Sequence, residues 1–122
     1  MVEDTPFNVM VVEALLKDQT NLIMDVANSG FEAIEMFQHN HYDAILMDCQ
    51  MPQMDGFETT MRMRKFEEDS NMRSSIPIIA LTANAQASDR QRCFASGMND
   101  FLSKPFQQHE MIEILSCWLD KE

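Results

Sequence analysis

Basic residues are scarce. Nine lysines and arginines face twenty aspartates and glutamates, a formal net charge of −11. Affinity for nucleic acid comes from cations that neutralise phosphates, so this balance disfavours DNA or RNA as a ligand of the chain by itself. It equally disfavours an anionic membrane surface, and it suits cations and basic partners. Cysteines are few and odd in number. Cys49, Cys93 and Cys117 are widely spaced and form no CxxC pair, which excludes a disulfide framework and reads as reduced, packing thiols in a cytoplasmic protein. No apolar run approaches the ~20 residues that span a bilayer, so membrane insertion is not expected. Met1-Val2-Glu3-Asp4 lacks the basic start and apolar stretch of a signal peptide. Long linkers, internal repeats and low-complexity tracts are also missing.

What remains is ordinary globular material. The 122 residues are 45% hydrophobic, enough for one domain with a real core. Twelve methionines scatter along the chain and read as flexible core filler. Helical and strand-like patterns alternate. Thr5-Pro6 suits a helix start, and Phe7, Met10, Val11, Ala14 and Leu15 recur at helical spacing. Leu22 to Val26 reads as a short strand, Asn28-Ser29-Gly30 as a turn, and Phe31 to Phe37 as a second helix. A buried strand follows within Tyr42 to Met47. Asp55-Gly56 opens a third helix through Arg64, and the polar stretch from Lys65 to Ser75 reads as a loop in which Glu67-Glu68-Asp69 is solvated. Ile76 to Leu81 is a second buried strand, with Pro77 tolerated near its start. A fourth helix from Ser88 or Asp89 ends at Gly97, Asp100 to Ser103 is a strand, and Gln107 to Leu119 is the last helix. Such alternation implies a parallel sheet covered on both faces. Ligand chemistry in such sheets collects at the carboxyl ends of the strands.

Those ends are where the chemistry-bearing residues stand. Asp48 follows one buried run, Thr82 the next, and Lys104 comes just after Ser103; Glu3 and Asp4 sit before the first helix. Clustered carboxylates repel, and one would keep its proton unless a cation joined them. A hard divalent cation with oxygen ligands resolves this, and Mg²⁺ is typically held by one or two carboxylates and several waters. An ammonium and a hydroxyl beside them make a pocket for a phosphoryl group, which a carboxylate nucleophile can accept. His39, His41 and His109 share no ligand spacing and read as surface or packing residues.

The words Val2-Glu3-Asp4, Tyr42-Asp43-Ala44-Ile45-Leu46-Met47-Asp48, Met51-Pro52, Met54-Asp55-Gly56, Ile76 to Ala83, and Gly97 to Phe106 with Lys104-Pro105 resemble the receiver domain of two-component response regulators. The wording is closest to receivers attached to hybrid sensor histidine kinases. The resemblance covers nearly the whole chain, so residues 1–122 are expected to be one phosphoacceptor domain. It implies a flavodoxin-like, doubly wound parallel sheet of order 2-1-3-4-5 with five helices. It further implies that Asp48 takes a phosphoryl group from a histidine of a partner kinase or histidine phosphotransfer domain. Asp4 would bind Mg²⁺ directly, Glu3 through water, and the backbone carbonyl of Gln50 and Asp48 itself would complete the protein ligands. Lys104, Thr82 and the N–H of Ala83 would contact the phosphoryl oxygens. Thr82 and Phe101 would form a conformational switch, read out on the fourth helix, fifth strand and fifth helix. Gln50 and Asn84 lie where members of the family tune dephosphorylation.

Two competing readings fit less well. A dehalogenase-type phosphatase places a second Asp two residues after its nucleophile, where this chain has Gln50. A flavodoxin-type flavin carrier needs a phosphate loop where Glu3-Asp4 would repel one. The chain is therefore expected to be a signalling module rather than an enzyme, with at most weak self-dephosphorylation. No output domain follows Glu122 in this sequence, so readout is expected on the surface. The family's first strand precedes the acidic pair, yet only Met1 and Val2 stand there. The chain is accordingly expected to be N-terminally truncated, with the acidic pair displaced and open strand edges inviting a dimer or strand exchange.

Overall fold

The computed structural model describes residues 1–16, 22–51, 53–70, 76–83, 87–104 and 106–119. Pro52, Asn84, Pro105 and residues 71–75 of the expected loop fall outside them. Eight elements run α1 Pro6–Leu16, α2 Gly30–His39, β1 Ile45–Asp48, α3 Gly56–Asp69, β2 Ile78–Thr82, α4 Ala87–Ser96, β3 Asp100–Ser103 and α5 Gln108–Leu119. The strands form a parallel sheet in the order β1-β2-β3, with Ile45 opposite Ile78 and Ile79 opposite Asp100.

β1 and β2 are buried along their whole length, and Ile78, Ile79, Ala80 and Leu81 are fully enclosed. Continuous rather than alternating apolar sequence is what two covered faces demand. One face carries Ile45, Met47, Ile78 and Ala80 with Phe37, Phe57, Met63 and Cys93 from α2, α3 and α4. The other carries Leu46, Ile79, Leu81 and Leu102 with Val12, Met111 and Leu115 from α1 and α5. Met47, Met54, Met63 and Met111 are fully buried, as filler should be, whereas Met10 and Met61 lie exposed.

The helix starts are written locally. Ser29 accepts from the Glu32 N–H at 3.1 Å while the Glu32 carboxylate reaches back to the Asn28 N–H. Asp55 caps α3 through the Glu58 N–H at 2.9 Å. Gly97, at φ +111°, ends α4.

Three expectations are corrected. Leu22 to Val26 is not a strand: only Ala27 of that region makes a bridge, to Val2, because so little chain lies beside it to pair with. α3 does not stop at Arg64 but continues to Asp69. Glu67 is buried rather than solvated, accepting from Arg64 Nη1 at 2.8 Å and from the Ile76 N–H at 2.9 Å. Arg64 also donates to the Gly97 carbonyl and to Asn99, which in turn accepts the Ile78 N–H. This network ties α3 to the starts of β2 and β3.

The acidic pair is not displaced either. Met1 to Glu3 is too short for a regular strand, but Val2 bridges Ala27 on one side and Met47 on the other. The Val2 N–H donates to the Leu46 carbonyl at 2.7 Å, the Asp48 N–H to the Val2 carbonyl at 3.1 Å, and the Glu3 N–H to the Ala27 carbonyl at 3.0 Å. These bonds give the spatial order of residue 27, residue 2, β1, β2, β3. That is the 2-1-3-4-5 order with its first two members reduced to bridges.

Candidate functional site

The register brings the strand ends together. Asp48 closes β1 opposite Leu81, Thr82 is the last residue of β2, and the Lys104 N–H donates to the Thr82 carbonyl at 2.7 Å. The segment Met1 to Glu3, bonded to β1 through Val2 and to Ala27 through Met1 and Glu3, delivers Glu3 and Asp4 to the same edge. Gly56 lets the start of α3 approach closely: a Cβ there would lie 2.3 Å from the Asp48 carbonyl oxygen.

Glu3, Asp4 and Asp48 each offer an oxygen, all within 4.8 Å of one another. Glu3 and Asp48 are buried. Lys104 Nζ stands 3.3 Å from Asp48 Oδ1 and 3.6 Å from Glu3 Oε1. The Gln50 N–H donates to Asp48 Oδ1 at 3.2 Å, and the Thr5 N–H to Glu3 Oε2 at 3.3 Å. Glu3 Oε1 is buried without a hydrogen bond. Burial first, then the Asp48 carboxylate, pushes the Glu3 carboxyl up to about 7. A single ammonium against three carboxylates leaves the cluster short of positive charge. An oxygen-only donor set with two buried carboxylates and an under-bonded Glu3 Oε1 is what a hard divalent cation fits.

That balance has a measurable consequence. Glu3 in the metal-free folded protein keeps a proton that the unfolded chain releases above about 4.5. The contribution of Glu3 to stability therefore falls as pH rises from about 4.5 to 7 and then levels. A cation replaces the proton. Thermal melts should show a small Mg²⁺-induced rise in Tm near pH 5.5 and a larger one at pH 8. A rise independent of pH would contradict the titration of Glu3.

Of the remaining residues singled out in the sequence, Thr82 is buried at the strand end and Ala83 is exposed just beyond it. Phe101 is half-buried on β3, one strand away, beneath α4 rather than within the carboxylate cluster. A cleft of about 390 Å³ opens beside the cluster, lined by Cys49, Gln50, Thr82, Asp55, Phe57 and Arg92. Arg92 was not singled out in the sequence. It stacks over Phe57, 4.2 Å from the ring centroid, and reaches Asp55 at 3.5 Å. On the other side a groove of about 320 Å³ runs past Lys104 and Glu3 along Phe7, Val11 and Phe106. Phe7 and Met10 of α1, two of the residues that recur at helical spacing, are 69% and 65% exposed. Among the described residues no helix is long and apolar enough to cross a membrane.

A sheet of this order with acids, a hydroxyl and a lysine at its carboxyl edge defines a class. Residues 1–116 match the model of the response regulator receiver domain, and the chain belongs to that family. Its relatives include hybrid signal transduction histidine kinase B of Dictyostelium discoideum, 45% identical over 92% of this chain and 6% of the relative. Sensor protein GacS of Pseudomonas syringae pv. syringae is 38% identical over 96% of this chain and 13% of the relative. The chain thus spans a small fraction of the length of these kinases. Among solved structures, the receiver domain of sensor histidine kinase PA1611 from Pseudomonas aeruginosa has a TM-score of 0.84 at 40% identity. That match covers 98% of this chain and 94% of the other, and the structure holds a magnesium ion in its active site cleft. The Saccharomyces cerevisiae receiver domain of Ssk1, solved with the histidine phosphotransfer protein Ypd1, has a TM-score of 0.89 at 28% identity. Coverage there is 96% of this chain and 84% of the other.

Proposed function

We propose that this receiver domain is the phosphoacceptor of a phosphorelay, with Asp48 as the residue that takes the phosphoryl group. The observation that carries the reading is the Asp48 carboxylate at the strand end, bonded by Lys104 Nζ and the Gln50 N–H and flanked by Glu3 and Asp4. The donor is a phosphohistidine of a partner kinase or phosphotransfer domain. An Asp48 oxygen forms the new O–P bond as the N–P bond breaks, and its electron pair returns to the imidazole. Asp4, Asp48, the Gln50 carbonyl and, through water, Glu3 would hold Mg²⁺, which would neutralise charge on the transferring group. Lys104, the Thr82 hydroxyl and the Ala83 N–H receive the phosphoryl oxygens. Thr82 moves toward them and Phe101 turns inward, altering the face of α4, β3 and α5. The output is protein binding, and hydrolysis of the aspartyl phosphate is a slow resetting step. Incubation with acetyl phosphate and Mg²⁺, followed by intact-mass measurement, tests the reading. One added phosphoryl group per chain supports it, and rapid turnover without an adduct favours a phosphatase instead.

The partner is expected on α1. Phe7 presents apolar surface to solvent along the groove that passes Lys104 and Glu3, and Met10 of the same helix is exposed as well. Exposed large apolar side chains beside a reactive centre mark a docking face. Phe7→Ala should slow transfer from a phosphorylated histidine phosphotransfer domain about tenfold, while labelling by acetyl phosphate stays unchanged. Equal losses with both donors would place Phe7 in the chemistry rather than in docking.

A further inference from the structure

Phe101 is held from above. It lies opposite Ala80 in the parallel ladder, and Thr82 is two residues further along β2 on the same face. Ala80 is fully buried and brings only a methyl group to that row. The Cζ of Arg90 lies 5.6 Å from the Phe101 ring centroid. The Phe94 ring meets Phe101 edge-on, 6.3 Å between centroids at 80°. Arg90 and Phe94 are four residues apart, so they stand on one face of α4. Both are exposed, and Phe94 keeps 49% of its surface in solvent. Neither position is dictated by the core.

We propose that Arg90 and Phe94 form a clasp that holds Phe101 against α4 in the unphosphorylated protein and so sets how readily the domain switches. The proposal rests on the Thr82–Phe101 switch described above. Both contacts depend on the ring lying beneath α4, and turning it toward Thr82 breaks them. Only interactions that differ between two states bias their equilibrium, and these differ. A surface cation–π contact and an edge-on aromatic pair each shift such an equilibrium by a factor of about two to ten. Arg90 and Phe94 are positioning residues. They touch the ring and take no part in the transfer.

The test is aromatic and methyl NMR of Phe101 and Thr82 in the whole chain, with acetyl phosphate and Mg²⁺ giving the phosphorylated end point. In the unphosphorylated protein, Arg90→Ala and Phe94→Ala should each move both signals toward that end point, by a population factor of about two to ten. Arg90→Lys, which keeps the charge but stacks less well, should fall between. Labelling by acetyl phosphate should quicken in the same order, and the effect should vanish in a Phe101→Ala background. A merely structural role would lower Tm without moving Thr82. The clasp is overturned if phosphorylation moves Phe101 in the parent while the Arg90 and Phe94 variants leave its resting signal in place. If phosphorylation leaves Phe101 unmoved in the parent, the switch itself fails, and that result is seen before any substitution is made.

Discussion

Asp48→Asn should abolish labelling by acetyl phosphate, a loss of several orders of magnitude, because the nucleophilic oxygen is removed. Asparagine keeps the volume at a site where little is free to shift, and its amide oxygen can still accept the Gln50 N–H. Folding is therefore expected to survive. The substitution also removes the negative charge that helps hold the Glu3 carboxyl up to about 7. Glu3 should then ionise at lower pH, and the pH dependence of metal-free stability should shrink with it. The two readouts separate chemistry from structure. Lost labelling with a native melt and a flatter pH profile fits the site described here. Labelling that persists in the variant would move the acceptor elsewhere.

Glu67→Ala should be the most damaging single substitution far from the site, costing about 3 kcal/mol. It removes the acceptor of the Ile76 N–H and takes a carboxylate from the half-buried Arg64, whose side chain is 18% exposed. Denaturant unfolding should show a lower midpoint at unchanged slope, and Tm should fall by roughly 10 °C. Glu67→Gln keeps an acceptor for Ile76 and should cost about 1 kcal/mol. Because the network grips the starts of β2 and β3, at the opposite end of the sheet from Asp48, the folded fraction of Glu67→Ala should still be labelled. A change within the ~0.5 kcal/mol of a surface substitution would show that Glu67 is not held as described.

The same residues mark where sequence reasoning reached and where it stopped. The runs at Ala44 to Met47 and Ile78 to Leu81 were legible because strands covered on both faces need unbroken apolar sequence. Asp48 and Thr82 stand at the ends of those runs and Lys104 just beyond the strand Asp100–Ser103, which is why the sequence alone singles them out. Glu67 was not, since Glu67-Glu68-Asp69 has the composition of a solvated face. The available signal was Arg64 three residues earlier, at the spacing of a helical ion pair. Nothing local announced Asn99 as the third member. The strand expected over Leu22 to Val26 had the right residues but lacked a full-length partner, and pairing, not composition, makes a strand. The acidic pair stayed in place for a related reason. The segment was judged by its length, whereas Val2 is bonded to Leu46 and Asp48 while its neighbours Met1 and Glu3 are bonded to Ala27. Arg90, Phe94 and Arg92 carried no sequence signal, because α4 is polar enough to read as an ordinary solvated helix.

The central claim is that Asp48 accepts a phosphoryl group in a cation-dependent reaction. Borohydride reduction of the acetyl phosphate-treated chain, followed by peptide mapping, tests it directly, because reduction converts an aspartyl phosphate to homoserine. Homoserine at position 48 in Mg²⁺, and none after chelation, is the predicted result. Homoserine at another aspartate, or at position 48 to the same extent without the metal, would contradict it.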